Sequence, residues 1–149
     1  MISVRKSILE EIEKRRISAI LRAEDRKVAA DAMRAAIAGG FRMVEFTLTT
    51  PGALELISAF SAQYPDLIVG AGTVMTTQMA TDAAHSGARF LVSPICDPEM
   101  ITAAKQLDVV AIPGAFTPTE MIRAHLCGAD LVKLFPAPAD VARYITSVL

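Results

Sequence analysis

Four of the chain's five lysines (Lys6, Lys14, Lys27 and Lys105) sit in helical segments among polar neighbours, and the fifth does not. Lys133 lies inside Leu131-Val132-Lys133-Leu134-Phe135-Pro136, a run with strand character. An ammonium in the middle of a strand that helices cover is costly unless it is paired or neutral. The chemistry this suggests is nucleophilic: an amine whose pKa is lowered by desolvation forms an imine with a ketone. Bringing a lysine from about 10.4 to about 7–8 takes roughly 3–5 kcal/mol, which partial burial can supply. The alternative is a strand-end lysine whose stem packs while its amine reaches water, and residue type alone leaves the two open.

Glu45 is the second polar intrusion, interrupting Met43-Val44-Glu45-Phe46-Thr47-Leu48. Strand alternation puts Met43, Glu45 and Thr47 on one face. An inward carboxylate there needs a partner, and Lys133 is the natural candidate. Glu45 then reads as a general acid/base beside the amine, or as half of a structural ion pair. The two groups conflict in part, because an anionic Glu45 raises the lysine pKa while desolvation lowers it. A protonated Glu45, or water between them, eases the conflict.

Weaker signals surround this pair. In Gly70-Ala71-Gly72-Thr73-Val74 the glycines would let the backbone approach a ligand, and Thr73 could donate to a carboxylate or phosphate. A plain strand-to-helix turn explains the segment almost as well. It is no dinucleotide fingerprint, since Met75 stands where the third glycine belongs. Arg22 directly follows the run 17–21, at the strand end where barrel sites gather, and could clamp a carboxylate. The plainer reading is a surface arginine. His85 and His125 fall near helix ends, where the dipole favours them, and no His/Cys spacing suits a metal.

The elements that must position these residues repeat. Strand-like runs start at 17, 42, 66, 89, 109 and 130, 20 to 25 residues apart, with helix-periodic stretches between them. Three helical stretches close on glycine before the next strand, in AGGFRMVEF, HSGARFLVS and LCGADLVKLF. Thr117-Pro118-Thr119-Glu120 is a helix start with a capping box. Alternation this short requires parallel strands joined by crossover helices, and nearly all-apolar strands imply cover on both faces. An open doubly wound sheet and a barrel both satisfy that pattern. At about 22 residues per unit, eight units approach the ~200-residue lower end of such barrels. The expectation is therefore an α/β fold of the (β/α)8 TIM-barrel type, one domain over 1–149 that stops after six strand–helix units. An open six-stranded sheet would leave two exposed edges.

Composition limits the partners. With 149 residues, 52% hydrophobic and 21% charged, and a net charge of −1, the chain reads as a soluble globular domain rather than a disordered one. Near-neutral charge argues against nucleic acid, and no apolar run approaches a membrane span. The charged start lacks the apolar core of a signal peptide. Cys96 and Cys127, 31 residues apart without a C-x-x-C, suit a reducing, cytoplasmic compartment.

The segments AILR (19–22), AGGFRMVEFTL (38–48), VGAGTV (69–74), LVSP (91–94), IPG (112–114) and VKLFPA (132–137) resemble, in order along nearly the whole chain, the class I 2-keto-3-deoxy-6-phosphogluconate (KDPG) and 4-hydroxy-2-oxoglutarate (KHG) aldolase family. The resemblance implies a cytoplasmic (β/α)8 lyase, commonly trimeric, that needs neither metal nor other cofactor. It makes Lys133 the imine-forming residue and Glu45 the proton-transfer residue. Arg22 and Thr73 fall on substrate-binding positions, and Pro94 and Phe135 line the pyruvyl pocket. Thr49 stands where many phosphogluconate-type members carry a substrate-binding arginine. TLTTPG instead resembles a galactonate-type or diverged branch in which Arg22 takes that duty. The substrate implied is a small 2-oxo acid cleaved to pyruvate and an aldehyde. The family's phosphate-holding loops follow strands 7 and 8, beyond the six units read here. The rival expectations are an inactive truncated barrel with a structural or regulatory role, and a phosphosugar isomerase or epimerase that uses Glu45 without an imine.

Overall fold

The computed structural model describes residues 3–148. Helix α1 (Val4–Arg15) precedes a series of strand–helix units: β1 (Ala19–Leu21) and α2 (Arg26–Ala38), β2 (Met43–Thr47) and α3 (Ala53–Gln63), β3 (Ile68–Gly72) and α4 (Thr77–His85), β4 (Phe90–Val92) and α5 (Pro98–Gln106). The fifth strand is split into β5 (Val110–Ile112) and β6 (Gly114–Ala115) before α6 (Pro118–Leu126), and β7 (Lys133–Leu134) precedes α7 (Val141–Val148). Strands β1 to β5 form one parallel sheet in sequence order, and β6 pairs with β7, also in parallel. Pro113 causes the split, because it has no N–H for the ladder. The chain direction carries across it, with Lys133 N–H donating to the Pro113 carbonyl and Phe135 N–H to that of Ala115.

Local chemistry starts and stops the helices where the sequence says it should. The capping box at α6 forms, with Thr117 accepting from the Glu120 amide and the Glu120 carboxylate accepting from the Thr117 amide. Asp25, Thr76 and Asp97 cap α2, α4 and α5 more simply, each side chain accepting one first-turn amide, worth about 1 kcal/mol. The glycines that close α2, α4 and α6 take the left-handed backbone, at φ 103°, 105° and 88°.

The two sheet faces have different partners. Val44, Phe46, Val69, Ala71, Leu91 and Ala111 pack outward against the helices, burying residues such as Met33, Ile57, Phe60 and Met100. Met43, Ile68, Phe90, Val92 and Val110 turn the other way, gathering around Ile12 of α1 with Ile8, Leu9 and Leu131 at the margin. Helix α1 thus plugs the N-terminal ends of the strands. It is pinned there by Ser3 and the Val4 amide on Asp108, and by Arg5 on Asp130 at 2.9 Å. The C-terminal strand ends, where Glu45 and Thr47 emerge, stay clear of it. No helix among the described residues is long and apolar enough to cross a membrane.

Two expectations change. Gly70 and Gly72 lie within β3 rather than in a turn, and their missing side chains make room for protein instead of ligand. A Cβ at Gly70 would overlap the Phe90 ring, and one at Gly72 would overlap the Glu45 carboxyl. Strand β7 is half-buried, not covered on both sides, since the outer edges of β1 and β7 have no strand neighbour among the described residues. Phe90 is itself fixed in the interior, so Gly70→Ala should destabilise the fold by about 1–3 kcal/mol through overpacking. Urea denaturation with an unchanged slope is the measurement that checks it.

Candidate active site

Glu45 sits in the middle of the sheet, paired with Ile20 on one side and Gly70 on the other. It is inward-facing, as alternation with Met43 demands, and only 3% exposed. Its side chain runs toward the C-terminal end of the sheet and lies over Gly72, the space a larger residue would close. Burial pushes its carboxyl above the ordinary carboxylate range, while the positive charges of Lys133 and Arg22 pull it back down. A carboxyl held this way is poised to exchange a proton.

Lys133 enters from β7, aligned with Gly114 of β6. Lys133, the partner expected for Glu45, interacts with it through space, and no ion pair joins the two among the described residues. The recorded neighbour of the Lys133 ammonium is the Phe135 ring, 4.8 Å from Nζ to centroid, two residues on and so on the same strand face. Lys133 is half-buried.

Arg22 and Thr73 meet. The Arg22 guanidinium donates from Nη2 to Thr73 Oγ1 at 3.1 Å. Thr73 holds a left-handed backbone (φ 58°), which costs a threonine about 1–3 kcal/mol and places it at the mouth, just past β3. Arg22 is exposed and has guanidinium capacity to spare for an anion. Pro94 and Phe135 also come together, lining a cavity of about 200 Å³ with Gly114, Ala115 and Phe116. Thr49 is apart from them. It is exposed on the loop after β2 and lines a separate cavity of about 380 Å³ with Gly52, Leu54, Met79 and Asp82. Among the described residues no group of three or more His, Cys, Asp or Glu could hold a metal ion.

The threonines around this site carry contacts that residue type did not reveal. Thr47 and Thr50 are buried, their hydroxyls 3.3 Å apart, and Thr49 donates to Thr47 at 3.2 Å. Thr50 also accepts from the Ala23 amide, tying the end of β1 to the loop after β2. The available signal was three threonines in four positions beginning two residues after an inward glutamate.

Comparison with known proteins gives this geometry a context. Residues 8–145 match the family model described as KDPG and KHG aldolase. The chain belongs to the KDPG/KHG aldolase family. It is 37% identical over 131 residues to the 2-dehydro-3-deoxy-phosphogluconate aldolase of Treponema pallidum, covering 88% of this chain and 62% of that protein. It is also 37% identical over 135 residues to the probable 2-dehydro-3-deoxy-6-phosphogalactonate aldolase of Rhizobium meliloti, covering 90% and 64%. Among solved structures, the KDPG aldolase of Legionella pneumophila, captured with pyruvate as a covalent carbinolamine, superposes with a TM-score of 0.80 at 29% identity. That match covers 88% of this chain and 64% of the other. The fold is therefore of the TIM-barrel type that this family shares, and the chain spans less than two thirds of the length of the curated relatives named here.

The buried carboxyl makes stability depend on pH in a defined direction. A group whose folded pKa is raised stabilises fully below its unfolded pKa, and that stability is lost as pH rises through the folded value. Glu45→Gln removes the titration. The melting temperature of the wild type relative to Glu45→Gln should therefore begin to fall as the pH rises past about 4 and level off once the folded carboxyl is ionised, as thermal denaturation across a pH series would show.

Proposed function

We propose that this chain supplies the imine-forming site of a class I aldolase, a carbon–carbon lyase acting on a 2-keto-3-deoxy sugar acid phosphate or on 4-hydroxy-2-oxoglutarate. The observation that carries the reading is the placement of Glu45: a buried carboxyl, raised by burial, facing Lys133 and Arg22 together. Family membership supports it, as does the carbinolamine that the Legionella relative forms with pyruvate.

In this reading the neutral amine of Lys133 attacks the C2 carbonyl of the 2-oxo acid, whose carboxylate is held by Arg22 and the Thr73 hydroxyl. Glu45 protonates the departing hydroxyl as the carbinolamine loses water to give an iminium. The iminium is an electron sink. Loss of the C4 hydroxyl proton then breaks the C3–C4 bond, releases an aldehyde, and sends the electron pair into an enamine. Protonation at C3 and hydrolysis return pyruvate and the free amine. Pro94 and Phe135 form the apolar wall against the methylene and methyl carbons. With threonine at position 49 in place of a charged side chain, Arg22 is the anion clamp. Burial raises the Glu45 pKa, the direction that eases the conflict between the two ionisable groups.

Borohydride reduction in the presence of pyruvate tests the assignment. A reduced adduct should map to Lys133 by peptide mass spectrometry and be absent from Lys133→Ala. A wild-type chain that traps nothing would refute the imine, and turnover retained by Lys133→Ala would favour an isomerase or epimerase that uses Glu45 alone. The proposal extends to a cytoplasmic homotrimer, for which the exposed apolar pair Ile122 and Leu126 on α6 offers contact surface. Sedimentation equilibrium should return three times the 15.9 kDa chain mass, and a well-behaved monomer would remove the trimer.

A further inference from the structure

Strand register brings a second aromatic ring beside Phe135. Gly114 is aligned with Lys133 and Ala115 with Leu134, so one step further along the pair Phe116 follows beside Phe135. Alternation puts Lys133 and Phe135 on one face, with Gly114 and Phe116 next to them. Phe116 and Phe135 do line one cavity of about 200 Å³ together with Pro94, and the Lys133 ammonium lies over the Phe135 ring. Gly114 lets this wall close up, because a Cβ there would overlap the Pro94 backbone. Phe116 is 37% exposed and Phe135 42%, so both rings keep apolar surface open to a ligand.

Phe116 is held at three points. Its amide donates to the Glu120 carboxylate at 2.9 Å, the same carboxylate that completes the capping box of α6. Its carbonyl accepts from the Tyr144 hydroxyl of α7. The Tyr144 ring also stacks on the Phe116 ring, with centroids 5.3 Å apart and planes inclined by 21°. A ring stacked on its neighbour cannot swing aside for a bulkier ligand without giving up a favourable aromatic pair.

We propose that Phe116 determines which 2-oxo acids this site takes, as an apolar wall against the carbons beyond C2, and that Tyr144 positions it. The proposal deepens the aldolase reading, which puts C2 at Lys133 and therefore the next carbons at the rings beside it. Discrimination is then steric. A methylene that must be fitted against a fixed apolar wall changes the preference about tenfold.

Isothermal titration calorimetry of the full chain with pyruvate, 2-oxobutanoate and 2-oxopentanoate tests this. Binding to the wild type should weaken with each added carbon. Phe116→Ala should shift the preference for 2-oxopentanoate over pyruvate upward by about tenfold, with Phe116→Leu in between. Tyr144→Ala should shift it the same way but add nothing in a Phe116→Ala background, whereas a general loss of stability would weaken all three acids alike. An unchanged preference in both Phe116 variants, or a Tyr144→Ala shift that survives in full without the Phe116 ring, overturns the proposal. A wild-type chain that binds none of the three acids overturns it as well. The same series in Lys133→Ala, which cannot form the imine, separates the wall from the aldolase chemistry. A shifted preference there, with no borohydride adduct in the chain that keeps Lys133, rejects the aldolase and leaves the wall standing. An adduct with an unmoved preference does the reverse.

Discussion

A carboxyl group taken out of water in the middle of a parallel sheet is the constraint on which the rest of this structure depends. Glu45 has sheet neighbours on both sides and a packed interior below it, so its side chain can extend only toward the C-terminal strand ends. It can do so only because Gly72 leaves the adjoining strand bare at that height. The burial that makes this costly also raises the carboxyl pKa. Glu45 is thereby inclined to carry a proton at pH values where an exposed glutamate would not. The expense to the fold and the usefulness to acid–base chemistry have one origin.

The two ends of the sheet divide the labour. At the N-terminal ends, α1 contributes Ile8, Leu9 and Ile12 to the interior and is fastened by Asp108 and Asp130, which precede β5 and β7. Closure there leaves the opposite end as the place where polar groups can emerge and meet solvent. Arg22, Thr73 and Lys133 arrive at that end from three separate strands. Such convergence is what parallel strands accomplish: every strand delivers its C-terminal residue to the same rim. The threonines after β2 reinforce this rim, since Thr50 binds the backbone that leads out of β1 while Thr47 stays inside.

Much of this was legible from residue order alone. The strand–helix alternation, the glycine helix stops and the Thr117 capping box are local features, each dictated by a few neighbouring side chains, and each forms as read. The inward side of Glu45 followed from period-two alternation. What sequence reading left open involved groups distant in the chain. The glycines of β3 could be read as a ligand loop or as a plain turn, because nothing local shows that Phe90 and Glu45 need their space. Residue order named Lys133 as the partner of Glu45 without fixing their separation, and in the fold the two interact through space while burial outweighs that attraction. Residue type left Lys133 open between a covered amine and a strand-end lysine; in the fold β7 is half-buried and among the described residues pairs only with β6.

Sequence by itself determined which elements form, which face of each is apolar, and that an amine and a carboxyl interrupt two apolar strands. These are consequences of backbone propensity and periodicity over a handful of residues. Only the tertiary structure decided that Arg22 reaches Thr73 across 51 positions, that Gly72 houses the Glu45 carboxyl, and that Thr50 ties the loop after β2 to the backbone leaving β1. Those outcomes depend on strand register. Register is set by the packing of both sheet faces at once, and no single segment of the chain contains that information.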